Sequence, residues 1–435
     1  MQRTKLSPRF WLALVIFGLT GQVAWVVENM YFNVFLYQMF HASPAEISAM
    51  VSASAVSATV TTLLIGALSD KVGRRRIFIC VGYILWGLSI GAFALLRVDW
   101  LAGLFPTLSA AAVGVTLVII LDCVMTFFGS AANDACYNAW LTDSTDATNR
   151  GAAEGVNAMM PLVAILAVFG GFMSFDLTQQ SSWTAIFLLI GGVVIAIGVL
   201  GFFLIKDTAV VIPENRSYFR NIVYGFRPSV MRQNPVLYAT LVAFAVFGIA
   251  IQIFMPYLIL YYTEALHMAD YVLVMAPAIL LASVSTVFYG RLYDRFGFVR
   301  SVIPAVGLLV VGCVGLFFCR GTALVFVFSL LMMTGYLAGM AVFGAMLRDH
   351  TPENKAGMFQ GLRIVAQVLI PGVIGPAVGA FVLRNADTVV NTDGTRSFIP
   401  NGDIFLAAAV VGLLALAVTY PVMRLKQKEV STDER

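Results

Sequence analysis

The sequence predicts an all-α polytopic membrane protein with twelve transmembrane helices in two pseudo-symmetric six-helix bundles. Of its 435 residues, 60% are apolar and only 11% are charged, whereas a soluble domain carries roughly 25% charged residues. The apolar residues fall in blocks of about 20, the length of a helix that crosses a hydrocarbon core of about 30 Å. Matching motifs also recur in the two halves of the chain. These observations exclude a soluble enzyme, and the unbroken apolar runs exclude a membrane β-barrel.

Short charged or Pro- and Gly-containing stretches separate the predicted spans. Span 2 has the clearest start, because Ser43, Pro44 and Glu46 combine a capping box with a proline in the first helical turn. The twelve predicted spans are 10–36, 45–68, 76–96, 111–140, 151–174, 183–205, 237–263, 270–290, 300–319, 323–347, 358–383 and 403–424.

Positive charge is concentrated on one side of this topology. Of the 27 Lys and Arg residues, 22 fall on the side of both termini, four fall on the other side, and Arg363 lies inside span 11. The positive-inside rule therefore predicts an integral protein of the plasma (inner) membrane with both termini in the cytoplasm. The net charge of +4 reflects this topology, so nucleic acid is not an expected partner. The first apolar stretch is too long for a signal peptide and is interpreted as span 1.

The positions of the cysteines and histidines indicate neither a metal site nor a catalytic site. The five cysteines lie in or at the ends of apolar blocks without metal-ligand spacing, and the three histidines are scattered near predicted helix ends. We therefore expect no cofactor, no metal site and no catalytic residues.

Two motifs repeat between the halves of the chain. Residues 66–76 align with 290–300 and share Gly, Leu, Asp, a basic residue, Gly and Arg in register. At a constant offset, a second set matches between the halves: Leu141, Asp143, Thr145, Gly151 and Gly155 with Leu347, Asp349, Thr351, Gly357 and Gly361. A parallel pair of bundles, 1–205 and 237–435, joined by a cytoplasmic linker over 206–236, explains both. This is a transporter architecture, with the substrate site between the repeats near the midplane.

On these motifs the sequence resembles the major facilitator superfamily over essentially the whole chain. The loop 66–76 matches that family's signature between its second and third helices, and its counterpart at 290–300 makes a chance match improbable. The resemblance implies a secondary transporter that rocks two halves around a central cavity. It does not identify a substrate.

The repeated loop predicts a cytoplasmic gate. Asp70 follows the C-terminal end of its helix, where the macrodipole disfavours a carboxylate, so we expect a compensating partner. Candidates are Arg74 and the helix start near Gly357, and by symmetry Asp294 would lie near Gly151. Such contacts would latch the cytoplasmic side in the outward-facing state; alternatively, the basic residues only fix topology. The predicted gating residues are Gly66, Asp70, Gly73, Arg74, Gly290, Asp294, Gly297 and Arg300.

Three connecting segments have distinct compositions. The first half carries extra residues around 97–110, which predicts an outer excursion with a short interfacial helix anchored by Trp100. The linker 206–236 interleaves aromatic and arginine residues, as in an amphipathic helix on the membrane surface, although it could equally be a simple tether. Residues 384–402 form the longest outer loop.

Ionisable side chains inside spans cost about 2.5–3.5 kcal/mol each on insertion scales, so each is a functional candidate. Glu28 lies in span 1, Asp122 and Asp134 lie in span 4, and Arg363 lies in span 11. When depth in the membrane is counted in helical turns, Asp134 and Arg363 lie at similar depths and could pair across the cavity. Glu28 and Asp122 could likewise share a depth. We predict that Glu28, Asp122 and Asp134 carry proton coupling. The alternative is that these carboxyl groups hydrogen bond to neighbouring Ser, Thr or backbone groups as packing devices.

Polar and aromatic residues predict the substrate site. In span 4 a stripe at intervals of three or four residues, from Asp122 to Tyr137, should face the cavity and not lipid. Aromatic rings with amides and carboxylates suit a sugar, and also a lipophilic cation, while a helix-core role is at least as plausible for each tyrosine singly. The predicted substrate-binding residues are Gln22, Trp25, Asn29, Asn133, Tyr137, Gln252, Tyr257, Tyr261, Tyr336, Arg363 and Gln367.

Span 4 also resembles one subgroup of the family, the glycoside-pentoside-hexuronide cation symporters. The run 133–137, followed by Asp143 or Asp146 and by Arg150, is similar to that subgroup's fourth helix. The subgroup's paired aspartates in the second helix are absent here, because span 2 holds only Glu46 at its outer start and then Ser and Thr. Proton coupling through Glu28 is therefore expected in preference to sodium coupling.

Three function classes remain at the level of sequence. The first is a secondary active transporter, functional as a monomer, that moves a small polar solute such as a sugar or glycoside with proton coupling. The alternative is a proton-linked exporter of amphipathic drugs or metabolites. A non-transporting sensor would normally carry a soluble extension, and the terminal segments here are short.

Overall fold

The computed structural model describes residues 6–146, 148–207, 226–351, 361–391 and 394–433. Side chains are not described at residues 67, 70 and 425–433. Most of the predicted linker helix lies outside these residues, as does the predicted start of span 11. Within the linker, the structure describes one short helix, Pro228–Gln233.

Within the described residues, eleven helices are long and apolar enough to cross a membrane. Ten match single predicted spans, and Tyr271–Phe318 contains both span 8 and span 9. It is broken at Gly297, whose backbone (φ 76°, ψ −178°) is not helical, so the twelve-span fold is confirmed. The helices are Pro8–Phe40, Pro44–Gly66, Arg75–Leu95, Ala110–Asp143, Arg150–Phe172, Gln180–Leu204, Pro235–Ala265, Tyr271–Phe318, Thr322–His350, Gly361–Asn385 and Asp403–Arg424.

Span 2 begins where the sequence predicts, but its helix extends four residues beyond the predicted end at 68. The Ser43 hydroxyl accepts from the Glu46 backbone N–H, and the Glu46 carboxylate accepts from the Ser43 backbone N–H at 2.7 Å, which is the predicted capping box. Its helix continues past the hydrophobic segment to Val72 and ends at Gly73, whose φ of 68° is left-handed. Glycine takes that conformation without a Cβ clash.

Four spans contain irregular turns that the hydropathy pattern does not reveal. Span 1 has a π-helical turn at Val27–Tyr31, span 4 at Ser130–Tyr137 and span 11 at Val365–Leu369. Span 7 has a 3-10 turn around Pro256 and a π-helical turn at Tyr261–Ala265. A π turn inserts one residue and re-aims the side chains beyond it, and such turns are frequent at functional sites.

Besides the linker helix Pro228–Gln233, the described residues form a helix and a hairpin outside the spans. The helix Val98–Leu104 occupies the predicted outer excursion and leaves Trp100 exposed, in agreement with the expected short helix. The loop between spans 11 and 12, predicted to lie on the outer side, contains a hairpin of β1 (Thr388–Val390) and β2 (Arg396–Phe398). The sequence analysis did not predict these strands, because three residues are too few to show the alternation that marks a strand.

The described residues form two compact units. Unit 1 lies within Met1–Asn215 and includes Val390–Ser397, and unit 2 lies within Arg216–Val389 and Phe398–Arg435. Each unit holds six of the twelve spans. The core of unit 1 is aromatic: the ring of Phe35, for example, lies 5.2 Å from that of Trp183 and 4.9 Å from that of Phe187.

Candidate functional site

A buried carboxylate lies at the centre of unit 1. Glu28 stands on the π-helical turn of span 1 and is 7% exposed. Its Oε1 accepts hydrogen bonds from Ser54 Oγ of span 2 at 2.7 Å and from Thr126 Oγ1 of span 4 at 2.8 Å. The two hydroxyl oxygens are themselves 2.8 Å apart. Three spans therefore converge on one carboxylate oxygen.

The second oxygen of this carboxylate is unsatisfied. Glu28 Oε2 is buried and has no hydrogen-bond partner among the described residues, and no lysine or arginine described in unit 1 forms an ion pair with Glu28. A buried carboxylate without a cation is costly as an anion, and adding a proton removes that cost. The arrangement can therefore hold a proton on Oε2 while Oε1 keeps its two donors.

Asp122 belongs to the same site. It lies one helical turn before Thr126 on span 4, is 1% exposed, and its Oδ1 has no partner among the described residues. Thr126, one turn further along the same span, donates to Glu28 Oε1 at 2.8 Å. The sequence analysis allowed these two carboxyl groups to share a depth, and this remains a prediction.

Three other predicted residues of span 1 lie within two helical turns of Glu28 along the chain. Trp25 is half-buried, its ring lies 5.0 Å from that of Trp86, and its Nε1 has no partner among the described residues. Gln22 is half-buried, whereas Asn29 is exposed and its amide donates to the Trp25 carbonyl at 2.8 Å. Span 1 thus carries an indole and primary amides within two helical turns of Glu28 along the chain.

The polar stripe of span 4 is buried in unit 1, and Asn133 and Tyr137 have hydrogen-bond partners there, as Thr126 does. Asn133 Oδ1 accepts from the Tyr83 hydroxyl at 3.0 Å. The hydroxyl of Tyr137 lies 2.9 Å from the Leu14 carbonyl and 3.0 Å from Asn157 Oδ1. These bonds join span 4 to spans 1, 3 and 5.

Glycines in span 1 make this close approach possible. A Cβ at Gly21 would lie 2.4 Å from Asn133 Oδ1, and a Cβ at Gly18 would lie 2.8 Å from the Tyr137 hydroxyl. Any larger side chain at Gly21 would therefore push span 4 away. Asp134, next to Asn133, is half-buried and accepts a long 3.4 Å hydrogen bond from the Asn133 amide.

In unit 2 the predicted polar residues have few partners. Arg363 is half-buried and its buried Nε has none among the described residues. Gln367 stands one turn later, on the π-helical turn of span 11. Gln252 of span 7 packs beside Gly375 of span 11, where a Cβ would come within 2.4 Å of the glutamine Cβ. Tyr336 of span 10 is half-buried.

Tyr257 and Tyr261, in contrast, are completely buried within unit 2. The Tyr261 hydroxyl lies 3.1 Å from the Leu316 carbonyl and accepts from Arg320 Nη1 at 3.0 Å. The Tyr257 ring lies edge-on to Phe398 at 6.3 Å. Both tyrosines have the helix-core surroundings that the sequence analysis kept as an alternative.

The loop 66–76 of unit 1 is held by a residue that the sequence analysis passed over. Arg75 Nε lies 3.1 Å from Asp143 Oδ2, and its Nη1 donates to Ser69 Oγ. Arg74 is exposed. The proposed contacts of Asp70 and Gly357 lie outside what the structure describes, and the Asp294 contact remains a prediction.

Ser54 is the other residue that the sequence analysis missed. The sequence signal for Ser54 is its spacing from Ser57, which puts both hydroxyls on one face of span 2. Ser57 Oγ donates to the Cys123 carbonyl of span 4 at 2.9 Å.

The described part of the chain contains no cluster of three or more His, Cys, Asp or Glu side chains that could hold a metal ion.

A family model described as Major Facilitator Superfamily matches residues 10–376. The chain belongs to the major facilitator superfamily. It is accordingly an integral membrane transporter and not an enzyme, as the repeated loop predicted.

This superfamily member is weakly similar to a curated transporter. It is 24% identical over 197 residues to the sugar efflux transporter B of Salmonella typhimurium, and the match covers 45% of each chain. The aligned part of the chain therefore spans less than half the length of that relative.

Solved transporters share the fold over nearly the whole chain. A variant of the nucleoside transporter NupG has a TM-score of 0.72 at 10% identity and covers 94% of this chain and 99% of its own. A bacterial homologue of the human lysosomal transporter Spinster has a TM-score of 0.72 at 14% identity and covers 97% of this chain and 98% of its own. The xylose transporter XylE from E. coli has a TM-score of 0.66 at 15% identity and covers 95% of this chain and 99% of its own. At these identities the similarity shows the fold alone.

Proposed function

We propose that this protein is a secondary active transporter that moves a sugar or glycoside by alternating access, with proton coupling at Glu28. We further propose that it acts as a monomer in the inner membrane with both termini in the cytoplasm. The 22-to-4 distribution of basic residues supports that orientation.

The single observation that carries the proposal is the hydrogen bonding of the Glu28 carboxylate. Two hydroxyls hold one oxygen in place, while the other is buried and has no partner among the described residues. The carboxyl group can therefore exist in a charged and a neutral state without repacking. Ser54 and Thr126 lie on spans 2 and 4, so movement of these spans would change the hydration of the acid and the cost of its charge.

Asp122 strengthens this assignment. Two carboxylates that repel each other are better accommodated when one of them carries a proton. In the proposal Glu28 and Asp122 share the coupling proton, and Asp134 contributes charge on the same span.

The sugar assignment rests on the chemistry of the candidate side chains and on similarity to part of one curated transporter. Half-buried amides, the Trp25 indole and the Arg363 guanidinium suit hydroxyl groups and an apolar sugar face. The partial similarity to a sugar efflux transporter supports the same class. It also favours the second candidate, proton-driven export of the same solutes.

The test is uptake and efflux in proteoliposomes under an imposed pH gradient, with a panel of labelled sugars and nucleosides. Glu28→Gln keeps an acceptor for Ser54 and Thr126 but cannot release a proton. We expect it to abolish gradient-driven accumulation while preserving equilibrium exchange. Asp99→Asn, at an exposed outer carboxylate, is the matched control.

Each outcome decides one part of the proposal. Accumulation by Glu28→Gln equal to that of the parent protein would remove Glu28 from the coupling mechanism. Accumulation driven by a sodium gradient at constant pH would replace the proton by sodium at this site. Efflux driven by the pH gradient would establish export.

A further inference from the structure

We propose that Glu28, Ser54 and Thr126 form a ring of three hydrogen bonds that is complete only when Glu28 carries a proton. The ring is defined by three oxygen atoms, one carboxyl oxygen of Glu28, Ser54 Oγ and Thr126 Oγ1, all within unit 1. The two hydroxyls are then positioning residues of the proton site. The inference rests on the proposed protonation of Glu28, and its experiment observes that proton directly, without any transported solute.

The three oxygens are mutual neighbours. Ser54 Oγ lies 2.7 Å from Glu28 Oε1, Thr126 Oγ1 lies 2.8 Å from the same oxygen, and the two hydroxyl oxygens lie 2.8 Å apart. Each of these distances is typical of an O–H···O hydrogen bond. Three such bonds need three hydrogen atoms, one between each pair of oxygens.

The side chains alone supply only two of these hydrogens. Ser54 and Thr126 carry one hydroxyl hydrogen each, and an ionised Glu28 carries none. If both hydroxyls donate to the carboxylate, no hydrogen lies between Ser54 Oγ and Thr126 Oγ1, and their lone pairs face each other across 2.8 Å. One proton added to Glu28 supplies the third hydrogen. Each of the three oxygens then donates once and accepts once.

Neither hydroxyl has an alternative partner in the described part of the chain. Elsewhere on span 2 a hydroxyl bonds the backbone of its own helix: Thr59 Oγ1 donates to the Ala55 carbonyl at 2.8 Å. Ser54 and Thr126 make no such bond, so their hydrogens are available to the ring. Thr126 is also completely buried, so bulk water does not offer its hydroxyl a replacement.

The charged side chains inside the three converging spans are all acidic. Between the ends of these spans the charged residues are Glu28 on span 1 and Asp122 and Asp134 on span 4, and span 2 has none. Lysine and arginine are absent from the corresponding segments of the sequence, 10–40, 44–66 and 110–143. The positive charge that completes the ring therefore has to be a proton taken up from outside these helices.

Proton uptake can begin at the other carboxyl oxygen. Glu28 Oε2 is buried and has no partner among the described residues, so its lone pairs are open to a hydronium ion. One O–H bond forms on Oε2 and a water molecule leaves. A half turn about the Cγ–Cδ bond then exchanges the two oxygens and brings the new O–H into the ring. Release follows the same steps in reverse.

The ring determines which carboxyl oxygen carries the hydrogen. When the ring is closed, the protonated oxygen makes both hydrogen bonds and the carbonyl oxygen of Glu28 makes none with the described side chains. If no ring forms, the proton stays on the unpartnered oxygen and the carbonyl oxygen accepts from both hydroxyls. These two states differ in infrared spectra, because a carbonyl that accepts no hydrogen bond stretches at a higher frequency than one that accepts two.

The test is infrared difference spectroscopy of the parent protein in lipid, between alkaline and acidic buffers made with light and heavy water. Subtraction of the Glu28→Gln spectrum identifies the Glu28 carbonyl band among those of the other acids. We expect the high-frequency band of the closed ring. A low-frequency Glu28 band, or no carboxylic acid band of Glu28 at any pH at which the protein stays folded, would overturn the ring.

Variants of Thr126 separate the ring from simple packing. Thr126→Val keeps the shape of the side chain but removes the hydroxyl, and we expect the high-frequency fraction to fall about five- to tenfold. Thr126→Ser restores the hydroxyl and should keep the band of the parent protein. Ser57→Ala, which deletes a hydroxyl outside the ring, is the matched control. An unchanged band in Thr126→Val would also overturn the ring.

The spectra decide the ring separately from transport. A high-frequency band in a protein without pH-driven accumulation would retain the ring and reject proton coupling. A low-frequency band in a protein that does accumulate solute would reject the ring and retain coupling at Glu28.

Discussion

Arg75 Nε lies 3.1 Å from Asp143 Oδ2, and this ion pair joins the repeated loop to the end of span 4. In unit 2 the matching carboxylate, Asp349, instead accepts a hydrogen bond from the Tyr293 hydroxyl. Tyr293 occupies the motif position of Ser69, and Val299 occupies that of Arg75. The same carboxylate position is therefore held by a cation in one half and by a phenol in the other.

We expect Arg75→Ala to lower the stability of the protein by about 1.5–3 kcal/mol, because it removes a charged hydrogen bond from a nearly buried side chain. Arg74→Ala, at the exposed neighbouring arginine, should change it by less than about 0.5 kcal/mol. Thermal unfolding in detergent compares the two variants. Equal melting temperatures would show that the ion pair has no structural role.

Ser54→Ala should reduce pH-gradient-driven accumulation roughly tenfold, because it removes one donor to the Glu28 carboxylate. Ser57→Ala is closely matched: it deletes a hydroxyl on the same face of span 2, but that hydroxyl bonds a backbone carbonyl. Its accumulation should equal that of the parent protein. A similar loss in both variants would indicate a packing defect between spans 2 and 4.

Gly21→Ala should lower the melting temperature, with a cost of about 1–3 kcal/mol for overpacking. Its added methyl group would lie 2.4 Å from Asn133 Oδ1. Gly91→Ala adds the same group to a described helix where no atom lies within 4 Å, so it should be neutral or slightly stabilising. Unchanged unfolding of Gly21→Ala would mean that spans 1 and 4 adjust freely.

Gly297→Ala should cost about 1–3 kcal/mol, because its backbone lies in a region essentially restricted to glycine. Gly290→Ala, in the same long helix with open space around it, should increase stability by about 0.5–1 kcal/mol. Unfolding curves of the two variants test the sign of each effect. A stable Gly297→Ala protein would indicate that spans 8 and 9 can join without this break.

The sequence predicted the spans because each depends on one local property, about 20 consecutive apolar residues. It also predicted Glu28 and Asp122, since a charge within such a run stands out against its neighbours. Ser54 did not stand out, because serine is common in membrane helices and a single hydroxyl costs little there. Arg75 was hidden among three consecutive arginines, of which only the structure distinguishes the buried one.

The sequence by itself determined the membrane fold, its twelve spans and its duplication, because hydropathy, charge distribution and motif repetition are properties of the chain that persist in any packing. Only the tertiary structure decided which side chains meet. The π-helical turns rotate Glu28 and the end of span 4 by an amount that no periodic pattern encodes, and Gly21 lets span 4 approach span 1. Hydrogen bonds such as those of Glu28 with Ser54 and of Tyr83 with Asn133 join residues far apart in the chain, and they depend on atomic distances of about 3 Å that sequence spacing does not contain.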